Sequence, residues 1–587
     1  MLIEDLKNRF LNDLNALAVK SLSSSQPPDE VKRVDLTKIF KSAKLEEPKN
    51  KGFGDLTTNA AMAAASILKK NPIDVANIII SEILSKYPEI MEPSVAAPGF
   101  INFNLKDDFI FSSLGEIFEK GADYGKNSSG NNVKIQLEYV SSNPTGNLHI
   151  GHGRWGVTGD ILSSIYESNG FNVQREYYVN DYGTQSRIFA ACVKSIYLEN
   201  IGIPFEYPQD GYPKESLMPV ADKLFERFKE SLVIDKNTCE VDDETIEKES
   251  IDIMLSFIKD TLESIGVVFD CWFKESSLYE NKGFEQNLDF LRKNDLVYEK
   301  DEALWFKSTN YGDDKDRVLI RADGNPTYFA SDIMYLINKK NRGFKQIIYI
   351  LGADHHGYIL RLKAIGKAIG LEDNCVNVII GQLVRLTENG EVLKMSRRKG
   401  RSVTLDDLVS EVGKDAVRYF FSMNSFDTHL DFDISLAKKK SNSNPVFYVQ
   451  YAHARIRSIL RKISAQSCEN FKIDALNIDL KQKQGLFKEL VSDKKECIFK
   501  NESERNLAVL LLKYPDVVLE SCRNNSCYYL NQYAYKLAGS FHYFYNHNKI
   551  LSKSKKVNIK RFLLAMACEI VLKNCLEILG ISAPDKM

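Results

Sequence analysis

Residues 133–179 constrain the fold more than any other stretch of this chain. Residues 133–140 (VKIQLEYV) alternate apolar and polar side chains, the period-two pattern of a strand. A polar turn with Pro144 and Gly146 follows. From Gly151 a helix places Val157, Ile161 and Ile165 on one face until Gly170 stops it. Residues 171–179 read as a second strand. Strand, crossover helix and strand in that order predict a parallel pair, and so a Rossmann-like nucleotide fold. The rhythm returns in the apolar runs at 346–351 (QIIYIL) and 376–380 (VNVII).

With 587 residues the chain exceeds one core, because single cores stop growing near about 250–300 residues. The expected architecture is multidomain, α/β and α. Residues 1–120 read as an α+β unit closed by a strand-like alternation at 100–104. The loop composition of 126–132 marks a boundary. Residues 121–404 form the Rossmann-like part, interrupted by an acidic, partly helical insertion near 190–310. Beyond Leu405 the pattern is almost wholly helical, with a connector at 405–444 and an all-α domain at 445–587. The last long helix repeats Leu564, Cys568, Val571, Leu572, Cys575 and Leu579 on one face, with Gly580 as its stop.

Composition excludes several classes. No run of about 18 uncharged apolar residues occurs, so no membrane-spanning helix is expected. The acids near the amino terminus do not fit a secretory signal. The ten cysteines include no CxxC pair, so neither zinc nor a disulfide framework is expected, and reduced thiols of a cytoplasmic protein are. A net charge of −1 does not advertise nucleic-acid binding. Basic clusters nevertheless occur: Lys394, Arg397, Arg398, Lys399 and Arg401; Lys438, Lys439 and Lys440; and Lys553, Lys555, Lys556, Lys560 and Arg561. Each alone is most simply a solvated face.

Two of the eight histidines fall in His149-Ile150-Gly151-His152, where the first strand hands over to its helix. A helix N-terminus offers unpaired N–H groups and a positive dipole end to a phosphate. Gly151 permits close approach of a nucleotide, and two imidazoles supply donors. Surface solvation is the competing account of these histidines. The second motif is Lys394-Met395-Ser396-Arg397-Arg398-Lys399-Gly400, a basic loop suited to charge building on a leaving polyphosphate.

Together the two motifs resemble the HIGH and KMSKS signatures of class I aminoacyl-tRNA synthetases, an HxGH element that small nucleotidyltransferases share. Longer segments are similar to the arginyl-tRNA synthetase family: LEYVSSNPTGNLHIGHGR, REYYVNDYGTQ, YFASDIMY, GADHHGY, KMSRRKG, HLDFDISLAKKKSNSNPVFYVQYAHAR and the final ILGISAPDKM. The likeness runs from about Phe53 to Met587. Arg397 departs from the second signature at its fourth position. Lysine is a compact charge and arginine a planar fork, so the two need not be equivalent there.

The resemblance implies a class I fold: an N-terminal α+β domain contacting transfer RNA, a catalytic domain, and an α-helical anticodon-binding domain. It implies ATP, as its Mg²⁺ complex, with L-arginine and tRNA-Arg as substrates, in a monomeric cytoplasmic enzyme without zinc. Gly146, His149, Gly151, His152, Lys394 and Met395 would contact ATP, with His149, His152, Lys394 and Ser396 catalytic. A guanidinium is always ionised, so selective capture needs a carboxylate. Glu138 lies near the end of the first strand, and Tyr328 and Asp332 are one helical turn apart. The resemblance assigns these three, Ser141, Asn143 and His149 to arginine, with His355 and His356 beside them. For transfer RNA it points to Asn59, Arg455, Tyr514 and Met587. Tyr448, Tyr451 and Tyr545 are further candidates to stack on bases, core packing being the alternative for each. Two rivals remain at this stage. Another class I synthetase or adenylyltransferase would exchange pyrophosphate with a different amino acid, and an RNA-binding paralogue would form no adenylate. The resemblance also implies that ATP–pyrophosphate exchange needs cognate tRNA. Strong arginine-dependent exchange by RNA-free protein would contradict this.

Overall fold

The computed structural model describes residues 9–13, 43, 45–46, 48, 50–84, 86–87, 91–235, 238, 240–355, 357–393, 403–466, 468, 470–493 and 498–587. At its centre five parallel strands form one sheet in the order β5–β4–β1–β2–β3. Their ranges are β1 Lys134–Tyr139, β2 Asn172–Val179, β3 Cys271–Lys274, β4 Gln346–Gly352 and β5 Val376–Gly381. Ile135, Gln136, Leu137 and Tyr139 of β1 are all buried. That is the environment of a parallel strand covered on both faces. The crossover from β1 to β2 is helix α1 (Ile150–Ser168), with Val157, Ile161 and Ile165 in the core.

Between β2 and β4 the chain forms α2 (Thr184–Asn200), α3 (Lys214–Phe228) and α4 (Asp243–Ser264), then returns to the sheet as β3. The interval expected to be an insertion thus supplies a strand of the central sheet. Four residues, Cys-Trp-Phe-Lys, are too few to show a period. An antiparallel three-stranded sheet (Val297–Lys300, Ala303–Phe306, Arg317–Ile320) and helix α5 (Tyr328–Asn341) follow, sharing a second, smaller core with β4 and β5.

The amino-terminal unit has four antiparallel strands, in the order Leu45–Glu46, Leu56–Thr58, Phe100–Leu105, Met91–Ala96. Beyond the central sheet come α6 (Leu405–Val412) and α7 (Lys414–Ser422). The strand Leu430–Asp433 then pairs in parallel with Val384–Glu388, a departure from the helical connector expected over 405–444. Leu430 and Phe432 point inward and carry the strand's short alternation. Helices α8 (Pro445–Ser464), α9 (Glu502–Leu512), α10 (Tyr514–Arg523), α11 (Tyr528–His547) and α12 (Ile559–Leu579) build the carboxyl-terminal bundle, and Gly580 (φ 65°) ends α12 in the left-handed region. Arg418 on α7 staples this bundle to the sheet domain. Fully buried, it donates to Asp160 on α1 (2.6 Å), the Leu579 carbonyl (2.8 Å) and the Ile265 carbonyl (2.9 Å). No helix among the described residues is long and apolar enough to cross a membrane.

Candidate active site

The carboxyl ends of parallel strands open a crevice, and the chain leaving β1 turns sharply there. Val140 (φ 68°) and Ser141 (φ 41°) both occupy the left-handed region, unusual for two consecutive residues with side chains. Such a conformation costs about 1–3 kcal/mol per residue and persists where the surroundings fix it. The turn lets the Ser141 hydroxyl accept from the Tyr178 amide (3.1 Å) and donate to Glu138 (3.4 Å). Asn143 donates to Gln185 at the start of α2 (2.6 Å).

His149 caps α1. Its Nδ1 accepts from the His152 amide and its own amide donates to His152 Nδ1, each at 3.3 Å. The rings stack with centroids 3.5 Å apart and planes 16° from parallel. Because Nδ1 accepts in both, each neutral ring carries its proton at Nε2, where it is a donor. Burial, then the neighbouring His149, pushes the His152 imidazolium down to about 3, so that ring is uncharged at neutral pH. Two Nε2 donors therefore stand at the positive end of a long helix, an arrangement suited to a polyphosphate.

Ser141, Asn143, Gly146, His149, His152 and His355 all line one cleft of about 1290 Å³. Sequence reasoning missed its opposite wall, Tyr212, Pro213, Glu215 and Ser216 at the start of α3. No local pattern announces that a helix in this interval folds back over the strand ends. Thr404 bridges His149 as an isolated antiparallel pair, and the Leu405 amide donates to the Leu148 carbonyl (2.9 Å). The chain entering α6 is thereby held beside the histidines. Lys394, Met395, Ser396 and His356 lie outside the described residues. Among the described residues no three His, Cys, Asp or Glu side chains converge as a metal-holding group.

Glu138, Tyr328 and Asp332 are not on the wall of that cleft; Ser141, which is, links to Glu138. Tyr328, Asp332, Tyr335, Lys339 and Arg342 form a stripe at helical spacing along α5. Tyr328 is exposed at the helix start. Asp332 is half-buried as a residue, but its Oδ2 is closed off from solvent and meets no hydrogen-bond partner. Burial, opposed by Arg361 and reinforced by Glu138 and Glu275, pushes its carboxyl up to about 7. Glu138 differs: its Oε2 lies 2.5 Å from Lys339 Nζ, with both side chains almost wholly buried. Lys339 Nζ also sits over the rings of Tyr335 (4.1 Å) and Tyr349 (3.9 Å). Burial lowers the Lys339 pKa against the pull of Glu138. Glu176 is paired with Arg342 (2.5 Å) and Tyr335 (2.5 Å). Two carboxylates of this region, Glu138 and Glu176, thus have internal cations, while Asp332 Oδ2 has no hydrogen-bond partner. A cation entering here would meet an acid already desolvated.

In the bundle, Arg455 lies over the rings of Tyr451 (4.8 Å) and Tyr545 (5.0 Å) and 3.1 Å from His542 Nδ1. Met587 is exposed, and Asn59 stands at the start of the helix Ala60–Leu68. Tyr514 corrects the sequence reading. It is fully buried, packed against Tyr124, Tyr533 and the backbone at Gly125, so its ring has no face to offer a base. An aromatic residue opening a helix has the same sequence signal whether it faces solvent or a seam, and here it fills the seam between the sheet domain and the bundle.

Residues 113–499 match the family model for the catalytic domain of class I (R) tRNA synthetases. Residues 13–105 match the arginyl tRNA synthetase N-terminal domain, and residues 449–587 the DALR anticodon binding domain. The arginine–tRNA ligase of Carboxydothermus hydrogenoformans is 42% identical over 547 residues, covering 92% of this chain and 94% of the relative. That of Bacillus subtilis is 38% identical over 587 residues, covering 100% and 99%. The solved Thermus thermophilus arginyl-tRNA synthetase superposes with a TM-score of 0.70 over the full length of both chains at 20% identity, a likeness of fold.

Proposed function

The chain belongs to the arginyl-tRNA synthetase family, and from that premise we propose how its residues share the reaction. The protein is an arginine–tRNA ligase: it activates L-arginine with ATP to arginyl-adenylate and pyrophosphate, then transfers arginine to the terminal adenosine of tRNA-Arg. The α-carboxylate of arginine attacks the α-phosphorus of ATP, the bond to the β-phosphate breaks, and pyrophosphate leaves. No protein nucleophile is needed, so positioning and electrostatics carry the rate.

In this reading His149 and His152 donate from Nε2 to phosphate oxygens at the α1 N-terminus, with Gly146 and Gly151 leaving room for the nucleotide. Lys394, Met395 and Ser396 stabilise the charge on the leaving pyrophosphate, and Mg²⁺ accompanies ATP. Asn143, Ser141 and His355 border the amino acid, while Asp332 and Glu138, with Tyr328, receive its guanidinium. The observation that carries this assignment is the Asp332 oxygen, buried and without a hydrogen-bond partner, near Glu138, which Ser141 links to the cleft. Residues 1–120, 121–404 and 445–587 serve as tRNA-contacting, catalytic and anticodon-binding domains, joined by the connector 405–444. Asn59, Arg455 and Met587 face tRNA, and the Arg455–Tyr451–Tyr545 stack is a platform for an unpaired base. The enzyme works as a cytoplasmic monomer. The direct test is charging of tRNA-Arg by the purified protein with arginine, lysine or citrulline. Arginine alone should be attached, and charging with either competitor would overturn the assigned specificity.

A pH dependence follows. Asp332 titrates near about 7 in the empty site, and only its ionised form attracts a guanidinium. Arginine binding therefore strengthens as pH rises through 7 and releases a proton. By linkage, the KM for arginine should be about tenfold higher at pH 6 than at pH 8. A flat profile over that range would remove Asp332 from the binding step.

A further inference from the structure

The dipeptide Gly54-Asp55 stands out in the amino-terminal unit, and no role above uses it. Gly54 (φ 95°) packs so tightly that a Cβ there would lie 2.8 Å from the Phe103 carbonyl oxygen. This close approach lets the Asp55 amide donate to that same carbonyl (2.9 Å) and its carboxylate accept from the Leu105 amide (2.8 Å). The turn thus fixes a carboxylate at the edge of the unit, aimed at the carboxyl-terminal bundle. There it meets Arg505 on α9 in a two-pronged pair, Nη1 to Oδ1 at 3.0 Å and Nη2 to Oδ2 at 2.7 Å. Arg505 Nη2 also donates to the Leu105 carbonyl (2.8 Å), and Nε to Asp107 (3.1 Å). Asp107 in turn accepts from the Phe499 amide (3.3 Å). All three guanidinium nitrogens of one bundle residue are engaged by the amino-terminal segment. With Arg505 25% and Asp55 10% exposed, the pair is shielded enough to hold a geometry, unlike an open surface ion pair.

We propose that Arg505 is a positioning residue for tRNA charging: its clamp on Asp55 and Asp107 holds the amino-terminal unit at a fixed span from the bundle, so that one RNA molecule engages both. The proposal rests on the reading that both units touch tRNA. A preset span spares the complex the cost of ordering the two units on binding, and that saving appears in tRNA affinity. Nothing in the clamp touches the crevice, so arginine and ATP do not sense it.

The test uses full-length Arg505→Gln, Asp55→Asn, the double variant and Arg505→Lys. Asp55→Asn keeps an oxygen for the Leu105 amide and guards against simple misfolding. Steady-state charging should show the KM for tRNA raised about tenfold in each of the first two, within the 2- to 30-fold range of such coupling. The kcat and the KM values for arginine and ATP should stay within about twofold. The double variant should be no worse than the worse single, because both remove one interaction. Arg505→Lys, with charge but no fork, should fall between wild type and Arg505→Gln. Amide hydrogen exchange at Leu105 and Phe499 should quicken in Arg505→Gln. Unchanged exchange would overturn the clamp whatever RNA does. Quickened exchange with an unchanged tRNA KM would overturn the positioning role, and the same result in Asn59→Ala would trace that failure to the RNA-contact reading. A uniform loss across all three substrates would reduce Arg505 to a folding residue and equally overturn the proposal.

Discussion

Asp332→Asn should lower kcat/KM for arginine by roughly 30- to 5,000-fold at pH 8 while leaving ATP and tRNA affinity nearly unchanged. The substitution keeps the shape and removes the charge. Breaking one side of a buried, hydrogen-bonded charge pair costs about 2–5 kcal/mol, which the transition-state relation converts to that range. Asp332 suits the role because its Oδ2 already lies out of water without a bonded partner, so much of its desolvation is built into the fold. Glu138 cannot substitute fully, since Lys339 at 2.5 Å already answers its charge. The pH at which the comparison is made decides its size. Below about pH 7 the native carboxyl is protonated and resembles an amide, so the gap between variant and native enzyme should narrow there. Discrimination against citrulline should narrow as well. Its urea oxygen, turned toward Asp332, would set acceptor against acceptor, whereas an asparagine amide can donate to it. Arginine kinetics that survive the substitution intact would place Asp332 outside the pocket.

What the sequence revealed, and what it hid, follows from the range of each signal. The strand, helix and strand of β1, α1 and β2 were legible because strand-like alternation and a helical apolar stripe are written along 133–179, although β1 is in fact buried on both faces. The histidine pair was legible because a helix N-terminus is a local feature, readable from the strand before it and the apolar stripe after it. Charge complementarity to a guanidinium called for a carboxylate, but only the family resemblance pointed to Glu138 and Asp332, and their unequal environments were not legible at all. β3 and the strand Leu430–Asp433 are four residues each, too short for a pattern to emerge. Tyr514 was misread because burial at an interdomain seam depends on partners far along the chain. The wall contributed by α3 was hidden for the same reason. Lys339 escaped notice because a lysine near a helix end usually faces water. The spacing of Asp332, Tyr335 and Lys339 on one face was the available clue that this part of the helix is not solvated.

That lysine yields the other large expected effect. Lys339→Met should destabilise the catalytic domain by about 3–5 kcal/mol, because it leaves the buried Glu138 carboxylate without its cation. Glu138 can escape that cost only by taking up a proton, and a protonated Glu138 no longer helps to hold a guanidinium. Stability and arginine usage should therefore fall together in the single variant. The double variant Lys339→Met/Glu138→Gln separates them. Replacing both members of a buried pair by neutral groups is far less costly than removing one, so most of the lost stability should return. The carboxylate does not return, and kcat/KM for arginine should stay low. All three tryptophans, Trp155, Trp272 and Trp305, lie within the sheet domain and its inserted elements, so urea unfolding followed by their fluorescence reads this region of the multidomain chain. A single variant that unfolds at the native urea midpoint would mean that Glu138 finds water or another partner, and Lys339 would then be a bystander. Recovery of activity together with stability in the double variant would instead show that Glu138 serves the fold alone, leaving Asp332 as the sole acidic contact for arginine.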